Sequence, residues 1–406
     1  SSGGFKAFVG GVALQAISSI GVYTETTTTP TVNDDFFIRT LGTTSGSISN
    51  ISVIEITDDT NLPRIDYSPY SGAGTCGHWL FEPQKTNVLT YSEQFDNASW
   101  INNGVTINAN QVVSPDGALT ADLLTGVSGG FGVVKFSTWT ATNKVASCFA
   151  KKGSTNLFKI ANASGGGGGV TFNLENGTVT NADSGFDSDI ENYGNGWYRC
   201  TAIDTLGRSG TFSLGVTAAS ESVYIWGAQL ESDYKTSYIP TSGSTVTRFQ
   251  DAAFGAGNSS LINSTEGVLY LESKGLVDAP AQSEYINLRR NGDSNFSNAL
   301  VIQHRNNGQL RVYANGSATA NIHFLVDIDF TQNNKIAVSY KLNDYKLFIN
   351  GVAQSLYLTP VQTVFTGLDD LSFDLGGSAN WNGEVKCLAV FKEALTDAEL
   401  TCLTTI

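Results

Sequence analysis

The side chains of this chain that could do nucleophilic, acid–base or metal chemistry are three histidines, five cysteines and scattered carboxylates. Cys76-Gly77-His78 sets a thiol two residues from an imidazole, but on a Gly-rich stretch where no regular element would aim one at the other. His304 and His323 have no nucleophile or metal partner near them in sequence, so all three histidines read as structural or surface groups. Cys76, Cys148, Cys200, Cys387 and Cys402 are odd in number, widely spaced and without CxxC pairing. That pattern speaks against a disulfide scaffold and a zinc site, and predicts reduced thiols in a core or on the surface. Retaining hydrolysis of a glycoside needs two carboxylates ~5 to 5.5 Å apart across the bond. The nearest imitation, Asp327-Ile328-Asp329, lies at the start of a connection and lacks a flanking aromatic platform. The expectation is a protein without a catalytic centre.

Binding chemistry is better represented. Asp183, Asp187, Asp189 and Glu191 could offer oxygens to a hard cation, but their spacing is not that of an EF-hand loop, and they read as a solvated loop. Gly165 to Gly169 is followed by no Gly-Lys-Ser/Thr, so it reads as a hairpin tip and not a phosphate cradle. Aromatic rings can stack on the C–H faces of sugars. Of the six tryptophans, Trp197 and Trp226 sit in strong strand patterns and are expected to be buried. Trp139, in Ser137-Thr138-Trp139-Thr140, and Trp381, between Asn380 and Asn382, are the expected surface rings for a ligand.

The elements that must position these groups are strands. Apolar residues alternate with period two over Val105 to Ile107, Val145 to Ala150, Phe158 to Ala161, Val170 to Leu174, Trp197 to Ile203, Thr211 to Val216 and Val223 to Leu230. Turn signals such as Pro115-Asp116-Gly117, Asn176-Gly177 and Gly194-Asn195-Gly196 separate them. Thr396 and Glu399 stand in capping-box spacing and predict one short C-terminal helix. At 406 residues with 41% hydrophobic content the chain can build several cores. Charged residues make up only 15%, which leaves a neutral polar surface rich in Ser, Thr, Asn and Gly. A net charge of −14 repels phosphates, so neither nucleic acid nor an anionic membrane is an expected partner. No apolar run reaches the ~18 residues needed to span a bilayer as a helix, and no membrane insertion is expected. The chain starts at Ser1 and contains no Met, which predicts a processed product or a piece of a longer one.

Two resemblances add to this reading. LFEPQKTNVLTYSEQFDNASW from Leu80 and VYIWGAQLESDYKTSYIPTSGSTVTR ending at Arg248 resemble modules of bacteriophage tail and fibre proteins, and the ends of jelly-roll carbohydrate-binding modules. The latter resemblance implies a structural calcium near one carboxylate from each end, here Glu93 and Glu231, although the usual Asp pair before the last strand is absent. From Asp251 onward, STEGVLYLES, EYINLRR, ALVIQHR, QLRVYANG, NKIAVSYKLNDYKLFINGV and WNGEVKCLAVFKEALTDAEL resemble laminin-G-like, concanavalin A-like sandwiches. That family carries a loop near its sugar face on such a hairpin, which makes the turn residues Asn343 and Asp344 expected ligand contacts.

The expected fold is all-β: a short N-terminal attachment segment (1–62), a jelly-roll, carbohydrate-binding-like domain (63–250) and a laminin-G-like sandwich (251–406). The resemblance implies a non-enzymatic phage fibre or appendage protein on the virion surface. It would bind a host cell-surface glycan, contact other virion proteins through its N-terminal segment and form a homo-oligomer, a trimer as in many fibres. A secreted bacterial lectin or a purely structural virion decoration would use the same folds.

Overall fold

A computed structural model describes residues 4–9, 12–17, 36–41, 62–67, 77–127, 132–136, 143–162, 168–208, 210–293, 297–315, 322–356 and 365–406. The chain divides into two compact units, Ser1–Thr57 and Asp58–Ile406. In the first, Gly4–Val9 is the central strand of a three-stranded antiparallel sheet, between Val12–Ile17 and Phe36–Leu41. The alternating stretch Phe36-Phe37-Ile38 thus lies in a strand, and the alternating stretch over 51–56 lies outside the described residues.

The second unit holds two β-sandwiches. One packs two six-stranded antiparallel sheets between residues 101 and 232. Its first sheet runs in the order Thr178–Ala182, Gly169–Asn173, Leu157–Asn162, Thr211–Gly215, Gly132–Phe136, Ile101–Asn103. The second runs Phe186–Gly194, Trp197–Asp204, Lys144–Lys152, Ser222–Ser232, Ala121–Gly126, Val105–Val112. Because strand side chains alternate between faces, the apolar series Ala146, Cys148, Ala150 and Cys200, Ala202 from one sheet meets Phe158, Ile160, Phe172 and Leu214 from the other. Gly227 has φ +62° where the pairing of Lys144–Lys152 with Ser222–Ser232 shifts by one residue, a bulge that a side chain would strain. Trp197 and Trp226 are buried as expected, against Phe149 on the outer face of the second sheet. The strap from Asp233 to Thr241 crosses that face, where the ring of Tyr238 packs 4.9 Å from that of Trp226.

The other sandwich pairs a five-stranded sheet, Ile322–Asp327, Gln309–Asn315, Ala299–His304, Glu284–Arg289, Asp370–Ser372, with a seven-stranded one. The latter runs Val352–Ala353, Lys346–Ile349, Asn334–Lys341, Glu266–Gly275, Gly383–Phe391, His78–Phe81, Arg64–Asp66. Its last two strands come from the region expected to open the jelly roll. Sheet membership thus moves the expected boundary at 63: the second sandwich is built from two stretches of chain, and the jelly roll is inserted between them. The C-terminal helix Asp397–Thr404 has the expected capping box, and Leu400 seats it on Tyr270, Ala337 and Phe348 of the seven-stranded sheet.

Entry and exit of the inserted module are adjacent. Lys85–Asn87 pairs antiparallel with Val246–Arg248. Just beyond this stem, Glu82 and Asp251 are buried together. Arg64 and Arg248 both pair with Glu82, the latter at 3.0 Å; Asp251 Oδ2 accepts from the Glu82 backbone N–H at 2.8 Å and lies 3.5 Å from Arg64. Glu82 Oε1 also accepts from the Ser237 N–H at 2.7 Å, which ties the jelly-roll strap into the same knot. Burial pulls the pKa of both arginines down and that of Asp251 up, while the opposite charges act against each shift.

Removing one partner of a buried charge network leaves the others desolvated, so Glu82→Ala should lower unfolding stability by about 3 kcal/mol in chemical denaturation. Lys152→Ala, which breaks an exposed pair with Glu175, should change it by less than about 1 kcal/mol. The thiols give a second check. Cys148 and Cys200 face each other in register inside the core, and burial holds both thiols well above the usual range. Maleimide labelling of the folded protein followed by peptide mapping should modify the exposed Cys387 and Cys402 and leave Cys148 and Cys200 unmodified until denaturant is added.

Candidate functional site

The inner face of the five-stranded sheet carries Ile286, Leu288, Leu300, Ile302, Leu310, Val312 and Phe324. The alternate positions point outward, and register fixes who stands beside whom. Tyr285, Gln303, Arg311 and Leu325 form one row across four strands. Asn287, Val301, Tyr313 and His323 form the next. Arg289, Ala299 and Asn315 form a third. Ala299 and Val301 are a buried apolar floor, with Tyr285, Tyr313 and Leu375 packed around them.

Polar contacts order this face. Gln303 Nε2 donates to Tyr285 Oη at 2.8 Å, leaving the Gln303 carbonyl oxygen buried and without a partner among the described residues. The guanidinium of Arg311 lies over the Tyr313 ring at 4.6 Å and donates to His323 Nε2 at 3.2 Å. Burial, and then the charge of Arg311, pull the His323 pKa down, so at neutral pH the imidazole is uncharged and can accept that bond. Burial, helped by Tyr285, pushes Tyr313 up to about 12, so its hydroxyl remains a donor. One end of the face is set by Arg289, which donates to Asp370 Oδ2 at 2.8 Å and Ser372 Oγ at 3.1 Å and pairs with Asp374 at 3.2 Å. Two phenols, one guanidinium with no carboxylate paired to it among the described residues, and an unsatisfied amide oxygen around a small apolar floor suit a ligand with many hydroxyls and an apolar face.

The residues singled out in the sequence lie elsewhere. Trp381 is not on the surface: it is fully buried between the sheets, with His304 at 6.0 Å and Phe330 at 6.4 Å. Its flanking asparagines mislead because they are buried too. Asn380 donates to the Asp251 carbonyl at 3.0 Å, at the junction between the sandwiches, and Asn382 donates to Glu284 of its own sandwich at 2.7 Å. Trp139 lies outside the described residues. Asn343 and Asp344 form a tight turn, with Asn343 at φ +61° and Asp344 exchanging backbone hydrogen bonds with Lys341. Lys346 joins Asp344 to Asp397 of the C-terminal helix, which places the turn on the seven-stranded sheet and away from the outward rows just described.

Glu93 accepts from Tyr238 Oη at 2.9 Å, and burial raises its pKa. Glu231 is buried and both its oxygens are engaged, by Gln229 and the Thr236 N–H on one side and the Thr236 hydroxyl on the other. Among the described residues no three His, Cys, Asp or Glu side chains gather to hold a metal ion. Asp189 and Glu191 pair with Lys235. Asp327 accepts from Gln309, and Asp329 caps its own turn by accepting from Thr331, so the two carboxylates serve separate local bonds. His304 is buried and stacked on Phe330 at 3.5 Å, and His78 is buried 3.6 Å from Glu384.

Tyr285, Gln303, Arg311 and Tyr313 were not singled out from the sequence, and His323 was read there only as a structural or surface group. The signal was present in the off-core positions of EYINLRR, ALVIQHR and QLRVYANG, which carry Tyr, Asn, Gln and Arg where a merely solvated face would carry Ser, Thr and Lys.

No protein-family model matches the chain, and no curated protein matches it. Among solved structures it is similar to the CBM40 module of the Ruminococcus gnavus IT-sialidase, at 16% identity and a TM-score of 0.32, over 38% of this chain and 95% of that one. It is similar to the SAP-like pentraxin of Limulus polyphemus at 13% identity and a TM-score of 0.30, over 36% of this chain and 72% of that one. Domains LG4-5 of the mouse laminin α1 chain match at 10% identity and a TM-score of 0.23, over 73% of this chain and 96% of theirs.

Proposed function

We propose that this chain is a non-enzymatic attachment protein that holds a cell-surface glycan on the outer face of its five-stranded sheet, as part of a phage fibre or appendage. The observation that carries the glycan reading is the arrangement of Tyr285, Gln303, Arg311, Tyr313 and His323 around the Ala299 and Val301 floor. Such a face offers C–H stacking and directional hydrogen bonds without a nucleophile or a paired acid and base, which is what binding without turnover needs. Placement on a virion is supported by the sequence resemblance at Leu80 to Arg248 and by the separate N-terminal unit, which would contact other virion proteins. A face of this size binds a glycan weakly, and several copies on one particle, trimeric or otherwise, raise avidity through effective concentration.

The experiment is a glycan array together with binding to whole host cells, using the full chain. Tyr313→Ala and Arg311→Ala should each weaken binding at least about tenfold, the scale of one lost stacking or charge-assisted contact. Trp381→Phe should leave it unchanged once folding is verified by circular dichroism. Binding that survives both substitutions would place the ligand on another surface. Silence on every glycan and every cell would overturn the attachment reading, and an antibody against the chain that fails to decorate intact particles in electron microscopy would remove it from the virion.

A further inference from the structure

The jelly roll contains a feature the attachment face does not use. The inward series Ala150, Cys148, Ala146 along one strand ends on Lys144, and Cys200, Ala202 along its neighbour ends on Asp204. These two charges stand in register with each other and with Phe186 and Ser232, so one row of the core face becomes polar at the end of the sandwich. Both are more than nine-tenths buried, with 8% and 4% of their surface exposed. They line a cavity of about 40 Å³ whose walls include Ile160, Phe186, Phe212 and Leu230 on the apolar side and Asn162 and Thr211 on the polar side.

The polar atoms of this row are left open. Lys144 Nζ and Asp204 Oδ2 are buried and have no hydrogen-bond partner among the described residues, and the two side chains do not form an ion pair with each other. Asp204 Oδ1, by contrast, is held by the Leu206 N–H at 3.0 Å and by Arg208 at 3.1 Å, so the carboxylate is fixed with its second oxygen free. Burial pulls the Lys144 pKa down and the charge of Asp204 pulls it back. A buried donor and a buried acceptor left unpaired are each costly when dry, and a ligand satisfying both would recover that cost.

We propose that this cavity is a second binding site, which takes a small neutral diol or polyol end. One hydroxyl donates to Asp204 Oδ2, its neighbour accepts from Lys144 Nζ, and the carbon chain lies against Phe212, Ile160 and Leu230. A bare carboxylate would meet Lys144 but face Asp204, and a bare ammonium would meet Asp204 but face Lys144. Vicinal hydroxyls supply donor and acceptor at once without adding charge. A volume of about 40 Å³ exceeds the ~10–15 Å³ needed for a single water and limits the occupant to two or three heavy-atom positions beyond it.

The site is tested by methyl NMR on the full chain, following the Ala146, Ala161 and Ala202 signals during titration with glycerol, sodium acetate and glycine. Saturable shifts with glycerol in the millimolar range are expected, weakened at least tenfold in Lys144→Met and abolished in Ala202→Leu, which fills the space. Tyr313→Ala, on the other sandwich, should leave the glycerol response intact, so this result is independent of the glycan face. Shifts with glycine or acetate but not glycerol would overturn the ligand class. No saturable shift with any probe on the wild-type chain would overturn the site, leaving water as its occupant. A glycerol response unchanged in both folded variants would also overturn it.

Discussion

The buried knot of Arg64, Glu82, Arg248 and Asp251 is the constraint on which the second unit depends. The chain crosses between the sandwiches twice, once near residue 82 on the way into the jelly roll and once near residue 250 on the way out. Two crossings side by side would give a hinge if they were joined by backbone alone. Instead Glu82 is held by two guanidinium groups and donates its own N–H to Asp251, so each crossing strand carries a charge the other must neutralise. Buried ion pairs add little net stability relative to apolar packing, but they tolerate few alternative arrangements. The knot therefore acts on geometry more than on stability. It extends into both bodies, through the Ser237 N–H in the jelly-roll strap and through Asn380, which binds the Asp251 carbonyl from the other sandwich.

An insertion of this kind follows from ordinary β-sandwich physics. A jelly roll whose first and last segments lie together, here Lys85–Asn87 against Val246–Arg248, can be placed in a loop of another fold without stretching either one. The host sandwich keeps Arg64–Asp66 and His78–Phe81 at one edge of its sheet, with Val385 paired to Trp79. The ring of Phe81 then stacks on Phe373 at 4.6 Å, which joins the segment before the insertion to the core built after it.

The strands were legible in the sequence because period-two alternation is a local property, and the hairpin at Asn343, the capping box at Thr396 and the burial of Trp197 and Trp226 were read from neighbours a few residues away. Long-range pairing left no such mark. Nothing within Arg64–Asp66 says that its sheet resumes almost two hundred residues later, so the boundary at 63 followed continuity of the chain and missed continuity of the sheet. Trp381 failed for a related reason: asparagines beside a tryptophan look solvated when their partners, Asp251 and Glu284, are distant in sequence. Lys144 and Asp204 occupy core-parity positions that alternation assigns to apolar residues, and such local conflicts mark positions where something besides packing is at work.

The proposed glycan face rests on how its charges are arranged. Arg289 stands in the same outward-facing lattice as Arg311, yet Asp370 and Asp374 neutralise it and Ser372 takes a further N–H. Left unpaired, it would bring a second positive charge to the face and favour any anion. With it neutralised, Arg311 is the guanidinium beside the phenols, and the low pKa of His323 keeps the neighbouring ring uncharged at neutral pH. A guanidinium lying over one aromatic ring and hydrogen-bonded to another has little rotamer freedom left to lose when a ligand arrives. The same contacts that order the face in the free protein would thus lower the entropic cost of the proposed binding, and a weakly charged, pre-ordered surface is the kind that would discriminate by the positions of hydroxyls more than by net charge.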